Sequence, residues 1–195
     1  MILWLLACGP KAPPRPSTAP PEMTCPDGTR EVLDGVQVQF CARPDGTKDG
    51  PWLEWHPSGR KAEEGAYADG KRVGTWTRWN DAGVVLARGD YAAGQKTGPW
   101  AFAYEDGQLQ LIGTFLAGGE DGAWTAYWPD GRVFWEGFYA GGERVGIWTY
   151  THPNGTLAAK GAYADDERVG AWDWFDTYGE RIGAEDFAVR FPAYR

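Results

Sequence analysis

The stretch GAWTAYWPDGRVFWEGFYAGGERV, residues 122–145, decides the fold. It sets a Gly-x-Trp at Gly122 and Trp124, a Pro-Asp-Gly at 129–131, a second strand-like run with Gly137 in its interior, and a closing Gly-Gly at 141–142. Aromatic and β-branched residues flank a turn signal on both sides, which reads as a β-hairpin. The unit recurs outward from this point. Gly50, Gly74, Gly98, Gly122, Gly146 and Gly170 stand 24 residues apart, each followed two positions later by Trp52, Trp76, Trp100, Trp124, Trp148 or Trp172. Three further columns keep the same phase: the turn glycines 59 to 179, the strand glycines Gly65, Gly89, Gly113, Gly137 and Gly161, and the rings Tyr67, Tyr91, Phe115, Tyr139 and Tyr163. A fixed period of this length marks a repeat array.

Ser58-Gly59, Asp106-Gly107, Asp130-Gly131 and Asn154-Gly155 read as two-residue type I′ turns. Counting back from Ser58-Gly59 pairs Trp52 with Gly65, and the same count pairs Trp76 with Gly89, Trp100 with Gly113, Trp124 with Gly137 and Trp148 with Gly161. A glycine inside a strand leaves a hole on the pleated face, and a ring from the neighbouring strand refills it. Trp and Gly are therefore expected to act as one unit across each hairpin. Alternation places Trp124, Ala126, Trp128, Val133, Trp135, Gly137 and Tyr139 on one face, with Ala123, Thr125, Tyr127, Phe134, Glu136 and Phe138 on the other. The expected fold is all-β: an elongated, twisted antiparallel sheet of successive β-hairpins with a 24-residue period.

These columns resemble the bacterial MORN repeat variant family, whose unit runs Gly-x-Trp, an aromatic, a turn Gly, Gly-x-Tyr and a closing Gly. The resemblance covers residues 50–179, with repeats starting at 50, 74, 98, 122, 146 and 170. Residues 25–49 read as an N-terminal partial repeat or cap hairpin with Gly35 and Gly46 in phase, and 180–195 as a C-terminal cap, Phe187 in phase and Glu185 where a strand Gly would fall. The closing column Gly70, Gly94, Gly118, Gly142 departs at Asp166. The label often attached to this family, a YwqK-like antitoxin of a toxin–antitoxin pair, implies a cytoplasmic protein partner.

The other end of the chain suggests an address. Residues 1–8 form an apolar run closing in Leu5-Leu6-Ala7-Cys8, which resembles the lipobox of a bacterial lipoprotein signal peptide, although the run is shorter than usual and lacks a leading basic residue. Residues 9–24 carry six prolines and little to bury, as a disordered spacer does. With Cys8 lipidated, Cys25 and Cys41 remain as one pair, suited to a disulfide in an oxidising compartment. This places the chain in the cell envelope, anchored to a membrane by lipid on Cys8 and facing the periplasm or outer membrane; the cytoplasm is the alternative.

The chain of 195 residues has 27 acidic and 19 basic side chains, a net charge of −8. That balance, without a basic cluster, argues against nucleic acid. The only histidines, His56 and His152, lie four periods apart, ~38 Å on a straight sheet, so they form no joint site. Ser58 falls at a turn tip. Asp165-Asp166-Glu167 reads as a solvated loop without the spacing of a calcium site. No catalytic residue, metal or cofactor is expected. The function expected is a protein-interaction scaffold. Trp100, Phe102, Tyr104, Trp124, Trp128 and Trp135 are the candidate binding surface if their rings are exposed, and the other reading is that these aromatics fill the middle of the coiled sheet. A glycan stacked on these rings, peptidoglycan included, is the further alternative.

Overall fold

The computed structural model describes residues 23–35 and 37–191. The expected signal peptide and lipid site at Cys8, and the spacer up to residue 22, lie outside the described residues. The described residues divide into two compact units, one up to residue 108 and one from residue 109. Among the described residues the chain forms thirteen antiparallel strands that follow chain order without a crossover. The first unit holds β1 (Arg30–Asp34), β2 (Val38–Ala42), β3 (Lys48–Trp55), β4 (Lys61–Ala68), β5 (Lys71–Trp79), β6 (Val85–Ala92) and β7 (Gln95–Ala103). The second holds β8 (Leu109–Leu116), β9 (Gly119–Tyr127), β10 (Val133–Ala140), β11 (Glu143–Thr151), β12 (Leu157–Ala164) and β13 (Glu167–Trp174), then a short helix α1 (Ala184–Arg190).

The expected pairing is present where it can be read: Trp52 opposite Gly65, Trp76 opposite Gly89, Trp124 opposite Gly137 and Trp148 opposite Gly161. The turn assumed for it is not. The Gly59 amide bonds back to the His56 carbonyl and the His56 amide to the Arg60 carbonyl, both at 2.8 Å, so Pro57, Ser58 and Gly59 form a three-residue loop. Only Gly59 of these has positive φ, at 85°, whereas a type I′ turn needs two such residues. A bulge at Ala62 then adds one residue to the returning strand and restores the register, so the two departures cancel. The same bulge turns Phe134 onto the face of Trp128, with ring centroids 4.1 Å apart, instead of the opposite face.

The type I′ turns lie between the repeats. Asp69-Gly70, Ala93-Gly94, Ala117-Gly118, Gly141-Gly142 and Asp165-Asp166 all have paired positive φ values. Asp165-Asp166 is thus a solvated connection, as expected, in the form of a tight turn, and the Asp166 carboxylate accepts from the Arg144 amide at 3.0 Å and Arg144 Nε at 2.7 Å.

The main departure concerns the indoles. At Gly74, φ 63°, strand β5 bulges: Gly74, Thr75 and Trp76 together span the space opposite Gly65. This throws the Trp76 ring back over Gly65 of the preceding hairpin, where a Cβ would overlap the indole. Trp100 lies likewise on Gly89, Trp124 on Gly113, Trp148 on Gly137 and Trp172 on Gly161. Each indole Nε1 then donates to the carbonyl just after that glycine, at 3.0–3.2 Å, from Trp76 to Ala66 through Trp172 to Ala162. The tryptophan is a clip between repeats, not a filler within one. Tyr67, Tyr91, Phe115, Tyr139 and Tyr163 meet these rings edge-on at 5.0–5.2 Å, a favoured aromatic geometry.

The caps obey the same logic. In the first unit the strand-Gly column reaches Cys41, which is fully buried and bonded to Cys25 with Cα atoms 5.6 Å apart. Pro26 beside that bond covers Gly50, so the disulfide segment covers the sheet face at the start of β3. In the second unit α1 lays Phe187, 3% exposed, against Trp174 at 4.7 Å.

Candidate functional site

Each repeat contributes two face positions beyond the Trp and Gly columns, and their side chains together set how far the face is filled. In the second unit they include Trp135, Tyr150 and Trp174. Trp135 tilts against Trp148 at 4.9 Å, Trp174 packs on Trp172 at 5.3 Å and Tyr150 on Trp148 at 6.1 Å. Burial, with Tyr163 adding to it, pushes the Tyr150 hydroxyl well above its ordinary range. This face is a core.

In the first unit the equivalent positions are Glu63, Arg78, Ala87 and Phe102. Ala87 pairs with Arg78 on one side and Phe102 on the other, and its small side chain leaves a trough of about 210 Å³ between strands β4 and β7. Trp76, Tyr91, Trp100 and Phe102 supply its apolar walls. Arg72, Arg78 and Lys96 supply three cations against one carboxylate, Glu63. Arg72 lies 3.8 Å from the Trp76 ring centroid and grips Glu63 through two bonds of 3.1 and 2.9 Å. Burial opposes its charge, yet Tyr67 and Glu63 outweigh that and raise its pKa. Lys96 sits 4.8 Å from Trp100. Arg78 is exposed, and no hydrogen bond or ion pair engages it among the described residues. In a chain of net charge −8 this is a local positive site with flat apolar walls.

The residues proposed from sequence as a binding surface divide accordingly. Trp100 and Trp124 are buried, at 4% and 2% exposure, so their rings serve packing first. Phe102, Tyr104, Trp128 and Trp135 are half-buried. Only Trp100 and Phe102 of the six line the trough. Trp128 donates its Nε1 proton to the Thr151 carbonyl at 3.2 Å.

Sequence reasoning missed the cations. They belong to a column two residues before each Gly-x-Trp glycine: Lys48, Arg72, Lys96, Arg144 and Arg168, interrupted by Glu120. Lys48 stands 4.1 Å over Trp52, Arg144 4.1 Å over Tyr163 and Arg168 5.1 Å over Trp172. The 24-residue phase carries that signal, but Lys and Arg look like surface residues until the facing ring is known.

The histidines are struts. His56 Nε2 donates to the Trp79 carbonyl at 3.0 Å and His152 Nε2 to the Phe175 carbonyl at 2.9 Å, each reaching the following repeat. His152 is fully buried, with Phe191 at 4.6 Å. Among the described residues no group of three or more His, Cys, Asp and Glu side chains could hold a metal ion.

No family model matches the chain. No curated protein matches it either. Among solved structures, it is similar to accessory secretory protein 1, 2 and 3 in Streptococcus pneumoniae, with TM-score 0.32 and 14% identity over 53% of this chain and 20% of that one. A GtfA/B complex bound to UDP and GlcNAc gives TM-score 0.34 and 15% identity over 68% of this chain and 28% of that one. TarM gives TM-score 0.18 and 13% identity over 73% and 21%. The chain thus spans 20% to 28% of the length of these proteins. Similarity at this level carries no argument about function.

Proposed function

We propose that this chain is a non-catalytic, lipid-anchored repeat protein of the MORN-like type that acts in the cell envelope as a protein-interaction scaffold. The trough of its first unit receives an acidic segment of the partner protein. The observation that carries this reading is the unpaired Arg78 guanidinium beside Arg72, Lys96 and the apolar wall of Phe102. A carboxylate meeting Arg78 forms a charge-assisted bond in a partly desolvated setting, and an adjacent apolar side chain covers the Phe102 ring. The envelope address is supported by the Cys25–Cys41 disulfide, because such bonds persist in oxidising compartments. That same bond weighs against a cytoplasmic antitoxin.

Intrinsic tryptophan fluorescence tests the site, since Trp76 and Trp100 wall the trough. A pentapeptide of four glutamates around one phenylalanine gives a saturable change that weakens with salt. Arg78→Glu weakens its binding ~10-fold or more through like-charge repulsion. Equal binding by the variant, or by a pentapeptide with lysines in place of the glutamates, rejects the trough. A response to galacturonate in place of the peptide transfers the site to an acidic glycan and rejects the protein partner.

A further inference from the structure

The second unit also has an outer face, opposite the tryptophan clips, and it is more apolar than a solvated sheet face needs to be. Phe138 is 53% exposed, Ile147 52% and Val169 40%. Phe138 lies between Ala123 and Val145, Ala162 lies between Ile147 and Val169, and the bulge at Gly146 joins the two sets along β11, where Val145 and Ile147 stand two residues apart. Beside this row runs a polar one in the order Thr125, Glu136, Thr149, Lys160 and Asp173 across β9 to β13. Glu136 and Lys160 are both exposed and stand two strands apart, ~10 Å, too far to pair with each other. Among the described residues neither has a hydrogen bond or ion pair.

We infer that this face binds a second copy of the chain across a two-fold axis running along β11. Such an axis lies between the two sheets, parallel to the strands, and brings β10 of one copy over β12 of the other. Both rows are self-complementary under that operation. Glu136 of each copy faces Lys160 of the other, while Thr149 and Ile147 each meet their own counterpart. Phe138 and Val169 lie on opposite sides of the axis, so the apolar side chains of each copy cover those of the other. Facing sheets interdigitate in this way when they pack ~10 Å apart. An isologous contact needs the same patch to supply both halves of every pair, and here it does. The apolar row supplies the buried area and the flanking charges set the register.

Light scattering on the full chain carrying Cys8→Ser, so that no lipid mediates association, reads this directly. The chain runs at twice its monomer mass at micromolar concentration. Glu136→Lys and Lys160→Glu each weaken the dimer ~10-fold or more by placing like charges opposite each other. The double variant recovers it, and an equimolar mixture of the two single variants forms a heterodimer in which every charge again meets its opposite. Ile147→Lys abolishes the dimer while the circular dichroism spectrum stays unchanged, since the side chain is half exposed, and its unfolding midpoint loses the dependence on protein concentration that a dimer shows. A monomer at all concentrations, or a dimer indifferent to the charge reversals, overturns the proposal.

Discussion

The Trp76 indole lies on Gly65, eleven residues earlier in the preceding hairpin, and donates to the Ala66 carbonyl at 3.2 Å. The residue directly across from Trp76 in the ladder is a different glycine, Gly89, over which Trp100 lies. Every clip therefore ties a repeat to the one before it, and unit stability depends on contacts between repeats.

Gly65→Ala consequently disturbs Trp76 and not Trp52, its ladder partner. The overlap of the new methyl with the indole costs about 1–3 kcal/mol, and Trp76→Ala costs about 3–5 kcal/mol. The double variant costs no more than Trp76→Ala alone, because the methyl then has room. Urea unfolding of the four proteins checks this cycle, and additive losses contradict the clip.

Much of the fold was legible because the six Gly-x-Trp copies and their phase-locked partners state a hairpin array directly. Its finer geometry was hidden by two local devices. The three-residue loop at 57–59 and the bulge at Ala62 offset each other, so a count based on the wrong turn still paired Trp52 with Gly65. The second bulge, at Gly74, absorbs two residues and swings the indole backward, and nothing in a Gly-Thr-Trp string separates that from a flat strand. The trough was illegible for a related reason. Its existence depends on Ala87 being small between Arg78 and Phe102, which is a fact about three strands and not about a motif. Aromatic density marked Trp124 as either binding surface or packed interior, and it is packed interior.

The disulfide ties the segment at Cys25 and Pro26 onto β2 and β3. Replacing Cys25 and Cys41 by serine lowers stability by about 3 kcal/mol, the loop-closure value for a bond of this span. The loss also exposes Gly50, now covered by Pro26, to solvent. Hydrogen exchange reads the location: protection falls in β2 and β3 first and is unchanged in β10 to β12.

His152 and His56 hold the same repeat position but different burial. His152→Ala leaves a cavity and an unpaired Phe175 carbonyl, costing about 2–4 kcal/mol. His56→Ala, at a half-buried site, costs about 1 kcal/mol. Thermal unfolding separates the two, and equal losses contradict the strut assignment.

Asp166 has its pKa lowered from the ordinary 3.8, chiefly by the bond from the Arg144 side chain and then by the bond from the Arg144 amide. Because the folded value lies below the unfolded one, the ionised group stabilises the turn above the unfolded pKa, and that contribution disappears as pH falls through the folded pKa. Carboxyl NMR titration therefore gives Asp166 a midpoint below 3.8. Arg144→Ala moves it up toward that value, and an unmoved midpoint contradicts the assignment.

Which partners the trough can meet depends on where the chain resides. Intact-mass and tryptic mass spectrometry of the protein from its native membranes reads that address in one measurement. The expected result is lipid on Cys8 together with a Cys25–Cys41 disulfide. An unprocessed Met1 with Cys25 and Cys41 as free thiols contradicts it and places the search for a partner in the cytoplasm.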